Sequence, residues 1–254
     1  MLTTEQKIVD LIRKQGGISA HDIISQLAKN ASGIFRHLKN LQEKKIIYKV
    51  GNPPSVRYYE YANSMKNNSA LVINSINWAI SGDNNLFGSR EHCQTRDVFQ
   101  ARCDRLAGVI KKILNNENIG FLMAAVVGEI GNNSFDHNIG QWLGLPGLIY
   151  ILDEVNKIII MADRGQGVLA TLKRVRPALA DHMQALQVAF TEKISGRAPE
   201  QRGNGLKFVK KVIIENNWRL TYYSGNAVAE INSGGLSIFE SPTTIPGTLA
   251  VINF

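Results

Sequence analysis

The apolar run Phe121-Leu122-Met123-Ala124-Ala125-Val126-Val127 passes without a break into Gly128-Glu129-Ile130-Gly131-Asn132-Asn133-Ser134-Phe135-Asp136-His137. At helical spacing Met123, Val126, Val127 and Ile130 share one face, while Glu129, Asn133, Asp136 and His137 fall at i, i+4, i+7 and i+8 on another. An acid, an amide and a second acid on so apolar a helix are costly to bury without a partner, and a metal ion or a water network would supply one. The alternative is a solvated surface stripe. Two glycine clusters follow in order, Asp163-Arg164-Gly165-Gln166-Gly167 and Arg202-Gly203-Asn204-Gly205-Leu206. Gly165 and Gly167 let the backbone turn sharply and approach a bound group where side chains would collide. Gly203 and Gly205 precede a helix predicted from Leu206 to about Ile214, whose free N–H groups and dipole favour an anion.

A chain of 254 residues is comfortable for two domains, and 44 % hydrophobic content suffices for packed cores. The start, Met1-Leu2-Thr3-Thr4-Glu5-Gln6-Lys7, has no apolar leader core, and no apolar stretch approaches the roughly twenty residues of a membrane span. A cytoplasmic protein with no membrane partner is therefore expected. The cysteines are Cys93 and Cys103, with no further Cys or His at ligand spacing, so they read as ordinary buried thiols rather than a zinc site or a disulfide framework. Positive charge is uneven: residues 1–60 hold ten Lys or Arg against five acids, a net +5 out of the total of +8. Such a concentration is what binding a phosphate backbone requires, and a basic solvated face is the bland alternative.

Residues 4–15 place Ile8, Val9, Leu11 and Ile12 with helical periodicity before Gly16-Gly17. Ser19 can cap a second helix to about Ala28, and Asn30-Ala31-Ser32 turns into a third over 33–44 with Ile34, Leu38 and Leu41 inward. Residues 46–50, the turn Gly51-Asn52-Pro53-Pro54 and residues 56–61 read as a hairpin. Three short helices and a hairpin resemble a winged helix-turn-helix, with the segment from Ser32 to Leu41 in the place of its recognition helix. That resemblance makes DNA the expected partner. Ser32, Arg36, Lys39 and Asn40 would face phosphates and base edges, and Arg57 near the hairpin tip would reach an adjacent phosphate or minor groove. Use of the module for dimerisation or protein docking stays open, as does a homodimer. Residues 1–62 form this domain, 63–95 a helical connector and 96–254 the remainder. In the last part, helices are predicted over 96–116 and 206–214, with strands at 148–152, 157–162, 218–223, 226–231, 236–239 and 247–253, a succession that suits a layered α/β sandwich.

Glu129-x-x-x-Asn133-Ser134-x-Asp136-His137, Asp163-x-Gly165-x-Gly167 and Gly203-x-Gly205-Leu206 resemble, in order, the N, G1 and G2 boxes of the gyrase, heat-shock chaperone, histidine-kinase and MutL superfamily, GHKL, nearest the anti-sigma-factor and chemotaxis kinases. The resemblance implies a Bergerat-type α/β sandwich over about residues 96–254, with ATP and Mg²⁺ as cofactors. It implies that Asn133 coordinates Mg²⁺ and that Glu129 orients and deprotonates water or a substrate hydroxyl. Asp136 would bond outer-shell water or fix the helix, and His137 would approach a phosphate. Asp163 would accept from the exocyclic amine of adenine, with Thr248 near the adenine-bound water. Residues 168–202 resemble the ATP lid, with Lys193, Arg197 and Arg202 as phosphate partners. The His-Glu/Asp-x-x-x-Pro phosphoacceptor pattern of histidine kinases has no counterpart: Glu91-His92-Cys93-Gln94 carries its acid before the histidine. The implied functions are an ATP-binding transcriptional regulator, in which the GHKL domain controls the DNA-binding module, or an ATP-dependent serine/threonine kinase of the anti-sigma type acting on a partner protein.

Overall fold

Helix α1 (Thr4–Gln15) buries Ile8 and Ile12, α2 (Ala20–Leu27) buries Ile23, and α3 (Ala31–Glu43) buries Ile34, Leu38 and Leu41, with Val9, Leu11, Ile24 and Leu27 partly buried against the same core. The computed structural model describes residues 2–15, 18–44, 46–50, 56–60, 69–138, 147–193 and 204–254, with backbone alone at 48–50, 57, 59–60, 69–70 and 242. The chain divides into two compact units, Met1–Ser69 and Ala70–Phe254.

In the first unit Ser19 caps α2, its hydroxyl accepting from the Asp22 amide at 3.1 Å. Ala28, at φ 51°, ends that helix in the left-handed region. Asn30 caps α3, accepting from the Gly33 amide at 2.7 Å, so α3 begins two residues before the predicted start and takes in Ser32. Strands β2 (Ile47–Val50) and β3 (Arg57–Glu60) form the expected hairpin, whose turn at 51–54 lies outside the described residues. A short β1 (Ile18–Ser19), not anticipated, pairs with β3, giving an antiparallel order β1-β3-β2 over a core closed by Ile18, Ile47 and Tyr58.

The second unit opens with α4 (Ser69–Ser81), a 3-10 turn (Asn84–Leu86) and β4 (His92–Cys93). Residues 70–95 pack as part of this unit: β4 pairs with β5 (Leu148–Asp153), and Trp78 meets His92 edge-on at 5.9 Å. Helices α5 (Arg96–Leu114) and α6 (Glu117–Asn138) lie against each other, closely enough that a Cβ on Gly131 would overlap the Phe99 ring. With β6 (Ile158–Asp163), β7 (Arg219–Asn232) and β8 (Gly235–Asn253) the described strands make an antiparallel sheet of order β4-β5-β6-β8-β7. Tyr150, Met161, Tyr222 and Ile252 pack into one core with Phe99, Met123, Val127 and Ile130 of the helices. Ile149, Ile160 and Val251, one step out of phase along the strands, are buried as well, which is why these strands read as continuous apolar runs. The fold is mixed α and β.

Two expectations change. The four C-terminal strands predicted after residue 217 are two long ones, because Gly225, at φ 59°, absorbs a bulge in β7 without ending it. Between the glycine clusters, helices α7 (Gly167–Lys173) and α8 (His182–Thr191) carry a small apolar core of Leu172, Leu179, Ala185 and Val188, where a lid was expected. Lys193 is exposed beyond α8, and Arg197 lies outside the described residues. Cys93 and Cys103 are free and buried, and burial pushes their thiols up to about 11 and about 12. Among the described residues no helix is long and apolar enough to cross a membrane.

Removing the α3 cap tests how strongly local structure specifies the first unit. Asn30→Ala is expected to lower its stability by about 1 kcal/mol in urea denaturation, since the Gly33 amide loses its acceptor.

Candidate functional site

Helix α6 contributes two kinds of polar residue. Glu129 is exposed and Asn133, Asp136 and His137 are half-buried, so the predicted polar stripe stands beside the apolar face made by Met123, Val126, Val127 and Ile130. Ser134 and Asn138, only 5 % and 3 % exposed, point instead toward Asp163 at the end of β6.

Asp163 is fully buried, and its carboxylate is surrounded by donors. Oδ2 accepts from Ser134 Oγ at 2.8 Å and Thr248 Oγ1 at 2.5 Å; Oδ1 accepts from the Gly165 amide at 2.8 Å and Asn138 Nδ2 at 3.1 Å. A carboxylate offers about four lone-pair sites, and all are used. Burial raises its pKa above the ordinary carboxylate range against the pull of the Thr248, Gly165 and Ser134 bonds. Tyr222, buried close by, has its phenol raised by burial and then by the Asp163 charge.

The glycines of this corner are required by contact. A Cβ on Gly165 would overlap the Asn138 carboxamide, and one on Gly247 would overlap Asp163 Oδ1. Gly167 sits at φ 74°, where a Cβ would also come within 3.0 Å of the Pro246 carbonyl. Asn138 Oδ1 accepts the Gln166 amide at 2.9 Å, the Gln166 side chain donates to the His137 carbonyl, and Arg174 Nη2 donates to Gln166 Oε1 at 2.6 Å. The end of α6 and the glycine turn are thus one hydrogen-bonded piece.

Farther along α6, Glu129 lies against the start of α9 (Gly205–Glu215), and a Cβ on Gly205 would overlap Glu129 Oε2. The helix capping residue, Asn204, makes no side-chain cap bond, and Leu206 packs partly buried against the main core. Arg202 and Gly203 lie outside the described residues. Asp136 forms an ion pair with Arg96 of α5, so it braces two helices. No protein-family model matches the chain, and no curated protein does either.

Sequence reasoning singled out Glu129, Asn133, Asp163, Gly165, Gly167, Gly205 and Thr248, and these lie along α6, the glycine turn, the start of α9 and β8. It passed over Asn138, Gln166, Arg96 and Arg174. Asn138 was within reach of the helical spacing, four residues after Ser134 on the same face; Arg96, forty positions from Asp136, had no such signal. Among the described residues no three His, Cys, Asp or Glu side chains gather as a metal site.

On α3 of the first unit, Ser32, Arg36 and Lys39 are exposed as expected, with Lys39 Nζ 3.9 Å from Glu43 one turn on. Asn40 is half-buried near Glu5 of α1, and His37 Nδ1 lies 3.5 Å from Glu5, so both are less open than Ser32, Arg36 and Lys39. Phe35, 51 % exposed, joins the open face. Arg57 starts β3, paired with Ser19 and Val50, and its side chain lies outside the described residues.

The Asp163 environment predicts a pH signature. The folded carboxyl holds its proton above the ordinary range, so the stability it contributes is full below that range and falls as pH rises through the folded-state value. Asp163→Asn removes this term, and the Ser134 and Thr248 hydroxyls can rotate to accept from the new amide. The stability of Asp163→Asn relative to wild type is expected to increase from about pH 4 upward and then level off. Denaturation midpoints measured across pH check this.

Proposed function

We propose that the second unit is a GHKL-type ATP-binding domain of Bergerat architecture, and that its nucleotide state governs DNA binding by the first unit, a winged helix-turn-helix. The supporting observation is convergence: motif residues far apart in sequence meet, with Asp163 bonded to Ser134, Gly165 and Thr248, and Glu129 against Gly205. The donor set fits the cofactors. Asn133 offers a neutral oxygen to Mg²⁺, Gly165 and Gly167 let the turn close tightly against Asn138 and Pro246 beside Asp163, and the amides that open α9 suit phosphate. Asp163 can take an adenine amine only by releasing a present donor, and Asn138 holds the longest bond at 3.1 Å. This makes the protein a cytoplasmic transcriptional regulator.

The exposure of Glu129 supports a second reading, a serine/threonine kinase of the anti-sigma type acting on a partner protein. Bound MgATP would supply the phosphoryl group; Glu129 would take the proton from the attacking hydroxyl onto a carboxylate oxygen. A carboxylate at the protein surface is accessible to a macromolecular substrate as well as to water.

Calorimetry is expected to show Mg²⁺-dependent binding of ATP in preference to GTP. Glu129→Gln should keep ATP but lose about a hundred-fold or more in phosphate release or label transfer, since proton acceptance contributes on that order. An inert folded wild type in calorimetry would remove the ATP reading, and undiminished turnover in Glu129→Gln would remove the role of Glu129.

For DNA, Arg36→Ala and Lys39→Ala are each expected to reduce the slope of log affinity against log salt by about one, as each phosphate contact releases condensed counterions. Fluorescence anisotropy with random duplex at several salt concentrations measures it. Unchanged slopes would leave α3 as a protein-docking face.

A further inference from the structure

Arg164 is the second residue of the Asp163–Gly167 cluster, and its side chain leaves that cluster altogether. Asp163 and Gly165 on either side bond to each other, while Arg164 Nε donates to the Ala79 carbonyl at 3.2 Å and Nη2 to the Ile80 carbonyl at 3.1 Å. Both acceptors belong to the last turn of α4, where carbonyls have no intrahelical partner and the helix dipole is negative. The Gly82 amide takes the Trp78 carbonyl at 2.8 Å, and Arg164 takes the next two. The guanidinium therefore closes the end of α4 as a two-pronged cap from a residue eighty-five positions away in sequence.

Helix α4 is the first element of the second unit, beginning at the residue where the chain passes from one unit to the other. Val72, Ser75, Trp78 and Ala79 bury one side of it. Its C-terminal end is held by Arg164, whose backbone neighbours are the residues through which the glycine turn is bonded to Asn138 and Thr248. Any rearrangement of that turn moves the base of Arg164 and with it the cap on α4.

We infer that Arg164 is a positioning residue that transmits nucleotide occupancy from the Asp163–Gly167 turn to helix α4. This rests on the ATP site proposed above. The geometry calls for arginine: a planar fork can reach adjacent carbonyls together, whereas a lysine ammonium keeps the charge but not the paired geometry.

Hydrogen exchange of the full chain, followed by mass spectrometry with and without MgATP, tests the inference on peptides spanning residues 76–83. In wild type, ATP is expected to slow exchange there about five-fold or more, the lower end of ordinary coupling between sites. Arg164→Ala should exchange about ten-fold faster without nucleotide, having lost two charged hydrogen bonds, and should show no ATP response while still binding ATP. Arg164→Lys should fold with its charge retained and also lack the response. Loss of the ATP-dependent difference separates transmission from simple fraying, which would raise exchange equally in both states. If wild type binds ATP with no change in these peptides, or if either variant keeps the full response, the inference is overturned and the ATP site stands. If folded wild type binds no ATP, the site reading falls first and takes the inference with it.

Discussion

A carboxylate with no solvent contact is among the most demanding groups a fold can contain, and Asp163 sets the terms for everything around it. Left unpaired it would cost several kcal/mol or pick up a proton. The chain surrounds it with hydroxyls from α6 and β8, a carboxamide from the end of α6 and an amide from its own turn. Each donor fixes one degree of freedom. Ser134 and Asn138 set the rotation of α6 about its axis, Thr248 sets the position of β8 against β6, and the Gly165 amide sets the turn.

The same requirement explains where side chains are forbidden. Gly165 must pass beneath the Asn138 carboxamide, and Gly247 must pass beside the carboxylate, so neither position has room for a Cβ. Because α6 is a single rigid helix, the anchoring of its last turn also places Glu129 nine residues earlier, roughly 14 Å away along the axis. The locked last turn of the helix and the exposed Glu129 near its middle are thus held in fixed relation. A ligand lying along α6 would meet an immobile polar corner at one end and an accessible carboxylate beside a helix N-terminus at the other.

Much of this was legible because period and punctuation carry it. The helical spacing of Ile8 and Ile12, of Ile34, Leu38 and Leu41, and of Met123, Val126, Val127 and Ile130 identifies the buried face of each helix, and Ser19 behaves as the cap its chemistry suggests. What escaped reading was tertiary. Gly225 looked like a strand terminator because glycine usually weakens a strand, whereas the continuous pairing of β7 with β8 carries the ladder across it. Helix α8 lacked a clean amphipathic signal, since Ala185, Leu186, Val188 and Phe190 are buried on more than one side. Asn40 has the chemistry of a base-reading residue, yet it is half-buried near Glu5 of α1, and no local pattern reveals a neighbour thirty-five positions away.

Cys93 and Cys103 sit inside the core of the second unit, and desolvation holds both thiols protonated far above neutrality. Thiolate is the reactive form, so alkylating reagents find no target while that core is closed. Each cysteine becomes reactive only when the packing around it opens. The chain carries a built-in clock for opening of its larger unit: the rate of thiol capture reports how often that core breathes, without any label being introduced.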